Sequence, residues 1–426
     1  MSSIEAIIVA GGRGTRSLNP HIPKILQELT PGTTLLDQHI KNLSSLGIVK
    51  VTFLLGFEGA QIIDVLEKKH LGCHPFEISW EVEKVLNGTG PAIDAIKSSV
   101  TEEDLLIILG DTAICVDYAQ HYENWKNSQK LIGFFCHPNL HPEDSDVLEV
   151  SNDGAVMNFW EKRIERKVSS PVRALTGSYF VKSSVLRLNR PTNRNEDLVK
   201  YLISKVDSLE HILPIQTRYY FADTGTADRL EKVQKDFKSG TFSLRGRVDA
   251  GAIFIDRDGC LIPDINNGRE SVQDLDFEMD AIQGIRMANL KGIPIFLVTN
   301  QPAIAKGHLT AESVEKVQLQ IEEILAKHGA ILDGYKFCPH HPEKGFPGER
   351  LELKISCNCR KPNPGMAADL SILYGISLTK SIVIGDTSRD EGLAESIGAK
   401  FILGRHSHNE VGEALHKSIQ SISDNF

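Results

Sequence analysis

An apolar run from Ala252 to Ile255 ends on two aspartates, Asp256 and Asp258, which are one residue apart and are followed by Gly259. Such a run is typical of a buried parallel strand, which presents the next residues at the edge where open α/β sheets bind ligands. Of two carboxylates at that edge, one could attack phosphorus while the other protonates the leaving alcohol. The same residues also form common solvated turns, so this motif alone leaves both interpretations open.

The composition excludes several classes of protein. The chain has 426 residues, 41% hydrophobic and 24% charged, which is enough for two or three folded domains. A net charge of −9 argues against nucleic-acid binding. The sequence contains no apolar run of membrane-spanning length and no secretory signal, and its odd count of seven cysteines is typical of a reduced compartment. We therefore predict a cytoplasmic protein without nucleic-acid or membrane partners, and its oligomeric state stays open.

A glycine-rich segment follows the first apolar run, residues 6–10, which also predicts a buried strand. Glycines let backbone amides approach a phosphate closely, and nearby basic side chains can neutralise a triphosphate. A plain glycine-rich turn is a serious alternative for so short a motif. The candidate nucleotide-binding residues here are Gly11, Gly12, Gly14 and Thr15, and the candidate basic residues are Arg16 and Lys24.

Strand-like and helix-like segments then alternate. Residues 51–55 predict a strand, and Gly88 and Thr89 begin a helical stretch. Residues 105–109 predict another buried strand, which ends near Asp111. This alternation favours an α/β sheet with the Asp111 carboxylate at its edge.

Together with four later segments, these motifs resemble the sugar-phosphate nucleotidylyltransferases over about residues 4–235. The resemblance implies that a sugar 1-phosphate oxygen attacks the α-phosphorus of a nucleoside triphosphate and releases pyrophosphate. It implies Mg²⁺ bound by Asp111 and Asp223, with Arg16 and Lys24 stabilising charge on the phosphates. The later segments are 158–162, 176–179, the residue Glu196 and 221–226, and the implied sugar-phosphate contacts are Lys162, Glu161, Gly177 and Glu196.

Glu83 bears on the choice of base. Relatives that use thymidine or uridine nucleotides commonly have a glutamine at the corresponding position. An ionised carboxylate only accepts hydrogen bonds, and guanine offers two adjacent donors, whereas uracil and thymine offer one donor flanked by acceptors. The residue therefore favours GTP, and the alternative is a solvated strand residue.

Three apolar runs in the C-terminal part end on polar groups. A carboxylate pair follows the first run, a hydroxyl and an amide that can bind phosphate oxygens follow the second, and another carboxylate follows the third. A basic pair can neutralise the same phosphate. These groups are Asp256 and Asp258, Thr299 and Asn300, Asp386 with Asp390 nearby, and the basic pair Arg360 and Lys361.

This order of motifs resembles the haloacid-dehalogenase (HAD) phosphatases over about residues 250–410. The resemblance implies Asp256 as the nucleophile that forms an aspartyl-phosphate. It implies Asp258 as the general acid and then the base that activates water. It also implies Mg²⁺ bound by Asp256, Asp386 and the carbonyl of Asp258.

Three cysteines and a histidine lie close together in the sequence. Cys338, His340, Cys357 and Cys359 supply a closed set of four ligands, which suits a structural, tetrahedral Zn²⁺. The alternative is three buried free cysteines and an unrelated histidine, and His341 is a possible substitute ligand. The loop leads directly into Arg360 and Lys361, so zinc would fix the approach of that basic pair.

Two phosphatase families with such a zinc loop are similar to this part of the chain. They act on histidinol phosphate and on D-glycero-D-manno-heptose 1,7-bisphosphate. The long interval between His340 and Cys357 and the segment 359–366 are more similar to the heptose family. A phosphatase joined to a domain that needs a sugar 1-phosphate should remove a different phosphate, here the 7-phosphate. The two activities in sequence would yield an NDP-heptose, with GDP favoured.

We therefore predict an α/β fold with two Rossmann-like domains. Residues 1–235 would form a GT-A-like nucleotidyltransferase domain, 236–249 a linker, and 250–426 a HAD-like phosphatase domain with a zinc loop. The predicted partners are a sugar bisphosphate, a sugar 1-phosphate and an NTP, with Mg²⁺ in both domains and structural Zn²⁺. One alternative is a histidinol-phosphate-type phosphatase, and another is a non-catalytic sugar-phosphate-binding N-terminal module.

Overall fold

The computed structural model describes residues 3–12, 21–44, 46–83, 87–138, 145–162, 168, 170–188, 193–247, 249–264, 272–273, 276–408 and 410–423. The strands are β1 (Ile4–Ala10), β2 (Glu28–Thr30), β3 (Thr33–Thr34), β4 (Ile48–Leu55), β5 (Glu77–Val82), β6 (Asp104–Leu109), β7 (Thr112–Cys115), β8 (Ile132–His137), β9 (Val147–Val150), β10 (Val156–Trp160), β11 (Val172–Lys182), β12 (Ile212–Gln216), β13 (Tyr220–Asp223), β14 (Ile253–Ile255), β15 (Ile295–Asn300), β16 (Gly334–Cys338), β17 (Ile382–Gly385) and β18 (Lys400–Leu403). The helices are α1 (Leu35–Leu43), α2 (Gly59–Val65), α3 (Thr89–Ile96), α4 (Tyr118–Ser128), α5 (Ser183–Leu186), α6 (Leu198–Lys205), α7 (Ala227–Lys238), α8 (Thr241–Arg245), α9 (Met279–Leu290), α10 (Pro302–Ala305), α11 (Ala311–Lys327), α12 (Gly365–Tyr374), α13 (Ser388–Ile397) and α14 (Glu410–Ser423).

The chain packs into two compact units. Unit 1 comprises residues 1–135, 175–215 and 219–246, and unit 2 comprises residues 136–174, 216–218 and 247–426. Unit 2 thus includes a segment, 136–174, that lies within the predicted nucleotidyltransferase domain. The domain boundaries predicted from the sequence stay a prediction.

The core of unit 1 is a parallel sheet with the strand order β6-β1-β4-β5. Strands β1 and β6 are buried along nearly their whole length, as their apolar runs predict for parallel strands covered on both faces. Val9 pairs with Leu109, so Gly11 and Asp111 both follow at the same edge of the sheet. The first glycine motif and the first aspartate are therefore neighbours.

A short antiparallel ribbon brings a second aspartate close to Asp111. Strand β7 begins directly after Asp111 and pairs with β13, with Thr112 opposite Asp223. The backbone N–H and the hydroxyl of Thr224 both donate to the carbonyl oxygen of Asp111, at 3.0 and 2.7 Å. Residues far apart in the sequence thereby hold two carboxylates at one place.

Unit 2 is built on a five-stranded parallel sheet with the order β16-β15-β14-β17-β18. Alternate strand residues face opposite layers of helices. Ile253 and Ile255 pack in a core that includes α9, α11 and α14, whereas Phe254 packs in a core that includes α12 and α13. Helices on both faces confirm the predicted α/β class and explain why the strands are apolar on both sides.

The carboxyl ends of these parallel strands share one edge. Asp256 follows β14, Thr299 and Asn300 end β15, Cys338 ends β16, and Asp386 follows β17. Across the described ranges, no helix combines the length and the apolar character that spanning a membrane requires.

Candidate active sites

Lys361 lies at the centre of a buried cluster of charges in unit 2. Its ammonium group is 2.7 Å from Oδ1 of Asp256 and 2.6 Å from Oδ1 of Asp390, and it donates to the carbonyl of Val298 at 2.9 Å. The lysine and Asp390 are almost fully buried. A buried ammonium is stable only with such partners, so the two aspartates hold it beside the Asp256 carboxylate.

Asn300 positions this lysine. Its side-chain oxygen accepts the backbone N–H of Lys361 at 3.0 Å, and its amide nitrogen donates to the carbonyl of Lys361 at 3.1 Å. The side chain that we predict to bind a phosphate oxygen thus orients the backbone of the lysine.

Asp258 is oriented by three side chains through a single oxygen. Its Oδ2 accepts from Gln301 at 2.6 Å, from Thr299 at 3.3 Å and from Nε of Arg257 at 3.1 Å. Its Oδ1 is buried and has no hydrogen-bond partner among the described residues. One carboxylate oxygen is therefore held by three donors, while the other makes no hydrogen bond to the described residues.

Gln301 and Arg257 are absent from the predicted site. Both immediately follow predicted residues at strand ends, and both have buried side chains. A polar residue that follows a buried strand by one or two positions is a signal that could have identified them, because it too lies at the sheet edge.

The aspartates carry more negative charge than the nearby cations balance. Burial raises the pKa of Asp256 to about 7, with Lys361 lowering it and Asp390 raising it further. Burial and the charge of Asp390 also raise the pKa of Asp386. Such pKa shifts indicate a site whose carboxylates are stabilised when a cation binds.

The donor atoms of this cluster fit Mg²⁺. Among the described residues, one carboxylate oxygen each of Asp256, Asp386 and Asp390 lies within 4.8 Å of the others. Oδ1 of Asp386 is buried without a hydrogen-bond partner. Gly259 has φ +83°, and a Cβ there would be 2.5 Å from Oδ2 of Asp386. Oxygen ligands of this kind are those that Mg²⁺ prefers, and only glycine allows the close approach.

The cysteine and histidine side chains converge in the same unit. Sulfur–sulfur distances are 3.5 Å for Cys338–Cys357, 3.3 Å for Cys338–Cys359 and 3.3 Å for Cys357–Cys359. Nδ1 of His340 is 3.2 Å from Cys359 and 3.6 Å from Cys338. A tetrahedron with zinc–sulfur bonds of about 2.3 Å has sulfur–sulfur edges of about 3.8 Å. The four side chains therefore fit a closed zinc site.

The neighbours of this cluster have different roles. The ring of His341 bonds the carbonyl of Glu343 at 3.3 Å, so it is not in the ligand set. Arg360 donates to the carbonyl of His340 at 3.1 Å. This bond ties the basic pair to the ligand loop, as expected if the loop orients Lys361.

In unit 1, Lys24 forms an ion pair with Asp111, with 2.7 Å between Nζ and Oδ2. Asp223 accepts the backbone N–H of Gly225 at 2.6 Å and pairs with Arg229. A Cβ on Gly177, which has φ +83°, would be 3.1 Å from Oγ1 of Thr112. Lys24, Asp111, Asp223 and Gly177 are therefore brought together around the β7–β13 ribbon.

Glu83 lies against the first glycine motif. A Cβ on Gly11 would be 2.9 Å from Oε2 of Glu83, so the end of the Glu83 side chain lies directly beside this glycine. Burial raises the pKa of Glu83. The carboxylate is therefore partly removed from water beside the segment predicted to bind the nucleotide, and it is not a fully solvated strand residue.

The segment that begins helix α3, which contains Gly88 and Thr89, packs against Glu196. The backbone N–H of Gly90 donates to the carbonyl of Glu196 at 3.1 Å, and Oγ1 of Thr89 accepts from Leu198 N–H at 2.8 Å. Gly88 has φ +103°, which an L side chain rarely adopts. The structure thus brings Gly88, Thr89 and Glu196 together.

Glu161 and Lys162 belong to unit 2 and follow β10 directly. The backbone N–H of Lys162 donates to Oδ1 of Asp146 at 2.8 Å, and about half of the Lys162 side chain is exposed. Gly12 ends the first described segment. Gly14, Thr15 and Arg16 lie outside the described residues.

Comparisons with known proteins match both parts of the chain. The nucleotidyl transferase family model matches residues 5–240, and a HAD-hydrolase-like model matches residues 358–422. A D-glycero-beta-D-manno-heptose-1,7-bisphosphate 7-phosphatase of Photorhabdus laumondii is 34% identical over 178 residues, covering 41% of this chain and 92% of that protein. The phosphatase of the same name from Yersinia pestis is 36% identical, covering 36% of this chain and 79% of that protein.

Solved structures are similar to about half of the chain. HddC from Yersinia pseudotuberculosis is 20% identical with a TM-score of 0.44, covering 55% of this chain and 99% of that chain. The sequence matches confirm the prediction that the chain joins a nucleotidyltransferase to a HAD-type phosphatase. The chain belongs to the nucleotidyl transferase family through residues 5–240 and, through its C-terminal part, to the family of D-glycero-beta-D-manno-heptose-1,7-bisphosphate 7-phosphatases.

Proposed function

We propose that this chain performs two consecutive steps in the synthesis of an NDP-heptose. Its phosphatase removes the 7-phosphate of D-glycero-D-manno-heptose 1,7-bisphosphate, and its nucleotidyltransferase joins the remaining heptose 1-phosphate to a nucleotide and releases pyrophosphate. The observation that carries the proposal is the Asp256–Lys361–Asp258 cluster beside a zinc loop, in a chain whose C-terminal relatives are heptose bisphosphate phosphatases.

Each phosphatase residue has a defined role. A carboxylate oxygen of Asp256 attacks phosphorus, the bond from phosphorus to the sugar oxygen breaks, and Asp258 gives its proton to the leaving oxygen. Asp258 then takes a proton from water, which attacks the aspartyl-phosphate and releases inorganic phosphate. Lys361 balances phosphate charge, Thr299 and Asn300 contact phosphate oxygens, and Arg360 contacts the substrate. Asp256, Asp386 and the carbonyl of Asp258 would hold Mg²⁺, which would supply further charge stabilisation when bound.

In the second reaction, an oxygen of the sugar 1-phosphate attacks the α-phosphorus, and the bond to the leaving pyrophosphate breaks. Lys24 and Arg16 stabilise charge on the phosphates, and the glycine motif binds them. Asp111 and Asp223 would hold Mg²⁺, and Lys162 binds the sugar phosphate. The closeness of Asp111, Asp223 and Lys24 supports these roles.

The order of the steps follows from the chemistry of the substrates. The nucleotidyltransferase needs the anomeric phosphate, so the phosphatase must spare it and remove the other one. Histidinol phosphate would supply nothing for the second reaction. We place both steps in the cytoplasm, where nucleoside triphosphates are available, and this location stays a prediction.

The proposal is tested by incubating the whole protein with heptose 1,7-bisphosphate and each nucleoside triphosphate in turn, with products identified by mass. We expect inorganic phosphate, pyrophosphate and one NDP-heptose. If no nucleotide sugar forms with any triphosphate, the bifunctional assignment is wrong. Faster phosphate release from histidinol phosphate than from the heptose bisphosphate would favour the other phosphatase family.

We propose GTP as the nucleotide, because the carboxylate of Glu83 can accept both donors of the guanine edge. The substitution Glu83→Gln replaces one acceptor by a donor. An unpaired buried polar group costs about 1–3 kcal/mol, so kcat/KM for GTP should fall by about one to two orders of magnitude. The activity with UTP or dTTP should rise relative to GTP.

The matched control for Glu83→Gln is Glu81→Gln, an exposed glutamate two residues earlier on the same face of the β5 region. It should leave the nucleotide preference unchanged. A wild-type protein that uses UTP or dTTP better than GTP would overturn the assignment of the base.

We propose that the four-residue cluster binds structural zinc. Replacing Cys357 by serine removes a thiolate ligand, so zinc affinity should fall by about 100-fold or more. Metal analysis should then find less than one zinc per chain, and the melting temperature should drop. The exposed Cys73, which lies outside the cluster, provides the control Cys73→Ser. If wild-type protein purified without zinc has the same melting temperature as wild-type protein that contains zinc, this proposal is contradicted.

A further inference from the structure

Helix α11 has a stripe of polar residues that the two proposed reactions do not explain. Glu315, Gln318 and Glu322 are spaced i, i+3 and i+7, so they lie on one face of the helix. The adjacent face of the helix packs Val317, Ile321 and other apolar residues into the phosphatase core. In many proteins such a polar face is solvated, but here Glu315 and Gln318 are buried. The buried stripe therefore needs partners.

The partners come from segment 136–174, which contains the hairpin β9–β10. Arg173 forms two bonds to Glu322, at 2.6 Å and 3.0 Å from its Nη atoms to the carboxylate oxygens. The arginine side chain is almost fully buried, and Gln318 donates to the same carboxylate at 3.2 Å. A bidentate pair of this kind fixes direction as well as distance.

The tip of the hairpin is held at a second point. The backbone N–H of Asn152 donates to Glu315 at 2.9 Å, and the hydroxyl of Ser170 donates to the other oxygen of Glu315. Lys336 of β16 donates to the carbonyl of Asn152 at 2.6 Å, and Phe337 N–H donates to its side-chain oxygen at 3.3 Å. Both oxygens of the buried Glu315 are thus used on this segment.

The hairpin connects these anchors to Lys162. Strand β9 pairs with β10 on one side and with the first residues of β11, including Arg173, on the other. Glu149, buried in β9, accepts from Asn158 at 2.9 Å and from Trp160 at 3.2 Å. The backbone of Lys162 is bonded to Asp146, just before β9. Strand pairing and hydrogen bonds within the hairpin therefore connect the polar stripe of α11 to Lys162.

We propose that Glu315 and Glu322 are positioning residues for nucleotidyl transfer. By holding the hairpin, these phosphatase-helix residues set where Lys162 meets the phosphate of the sugar 1-phosphate. This inference rests on the proposed function, because it assigns that substrate to Lys162. The affinity of the nucleotidyltransferase for the sugar 1-phosphate then depends on the folded core of the phosphatase.

The test uses the full chain with Glu322→Gln, which leaves the buried Arg173 without its ionic partner. The KM for heptose 1-phosphate should rise about tenfold, while the KM for the nucleotide and phosphate release from the bisphosphate stay unchanged. The double variant Arg173→Met/Glu322→Gln should be no worse than the poorer single variant, because both remove one interaction. The control is Glu323→Gln, an exposed neighbour on the same helix.

Hydrogen exchange measured by mass spectrometry tests the contact between the hairpin and helix α11 independently of nucleotidyl transfer. Residues 145–162 should exchange faster in Glu322→Gln than in wild type, and unchanged exchange there overturns the inference. Faster exchange with an unchanged KM for heptose 1-phosphate overturns the positioning role. If the wild-type protein makes no nucleotide sugar, the proposed function is wrong. The exchange data still show whether Glu322 holds the hairpin against helix α11.

A second variant guards against misfolding of the first. Lys336→Met removes the contact to the hairpin tip and leaves the Arg173–Glu322 pair intact. If Glu322→Gln loses phosphatase activity, we expect Lys336→Met to retain that activity and to raise the same KM. A normal KM in Lys336→Met, with normal exchange of residues 145–162, would overturn the inference.

Discussion

Replacing Asp256 by asparagine should abolish phosphate release from heptose 1,7-bisphosphate and leave nucleotidyl transfer from supplied heptose 1-phosphate unchanged. Asparagine has nearly the same shape, but its amide is not a nucleophile toward phosphorus. Removing a covalent nucleophile costs several orders of magnitude, so we expect a loss of at least about 10³-fold in kcat. Phosphate release and mass analysis of the nucleotide sugar measure the two activities separately.

The variant Asp369→Asn is the matched control, because Asp369 is an exposed aspartate on α12. It should retain both activities. If Asp256→Asn still hydrolyses the bisphosphate at a rate near that of wild type, the aspartyl-phosphate mechanism is wrong. Loss of nucleotidyl transfer from supplied heptose 1-phosphate in the same variant would contradict the assignment of Asp256 to the phosphatase alone.

Asp111→Ala should produce the complementary result: heptose 1-phosphate accumulates and no NDP-heptose forms. The substitution removes a proposed Mg²⁺ ligand and the carboxylate that pairs with Lys24 at 2.7 Å. Metal and charge stabilisation of a transferring phosphoryl group contribute several kcal/mol, so nucleotidyl transfer should fall by at least about 10²-fold. Phosphate release should be unaffected, and mass spectrometry of a time course follows both products.

This experiment also decides whether the first domain is catalytic. If the first domain only binds sugar phosphate, Asp111→Ala and wild type form identical products. Asp64→Ala on α2, which removes only an exposed ion pair with Lys68, is the control. The identity of the intermediate that accumulates is informative as well. Accumulation of heptose 7-phosphate would show that the phosphatase removes the anomeric phosphate.

Most of the fold and much of the phosphatase site were predictable from the strands. Apolar runs buried on both faces identify parallel strands, and parallel strands end at one edge. That rule alone places Asp256, Thr299 and Asp386 near one another. The convergence of Cys338, His340, Cys357 and Cys359 was also predictable, since three thiols and an imidazole are rarely grouped by chance.

Details of the sites depended on contacts between residues distant in sequence. Asn300 orients the backbone of Lys361, and Gln301 shares Oδ2 of Asp258 with Arg257. Both arrangements follow from side-chain packing after the strands assemble. No local periodicity encodes such pairings. The grouping of residues 136–174 with unit 2 is a larger example, because the segment lies within a match to the nucleotidyl transferase family.

The sequence by itself determined the two α/β parts, their chemistry and the aspartate pair after β14, because burial patterns and strand ends are local properties. Only the tertiary structure decided which charges neutralise each other. It pairs Lys361 with Asp256 and Asp390 and commits Arg173 to Glu322. The physical reason is that an ion pair between distant residues depends on the geometry of the whole packed core, where a buried charge is stable only beside its partner.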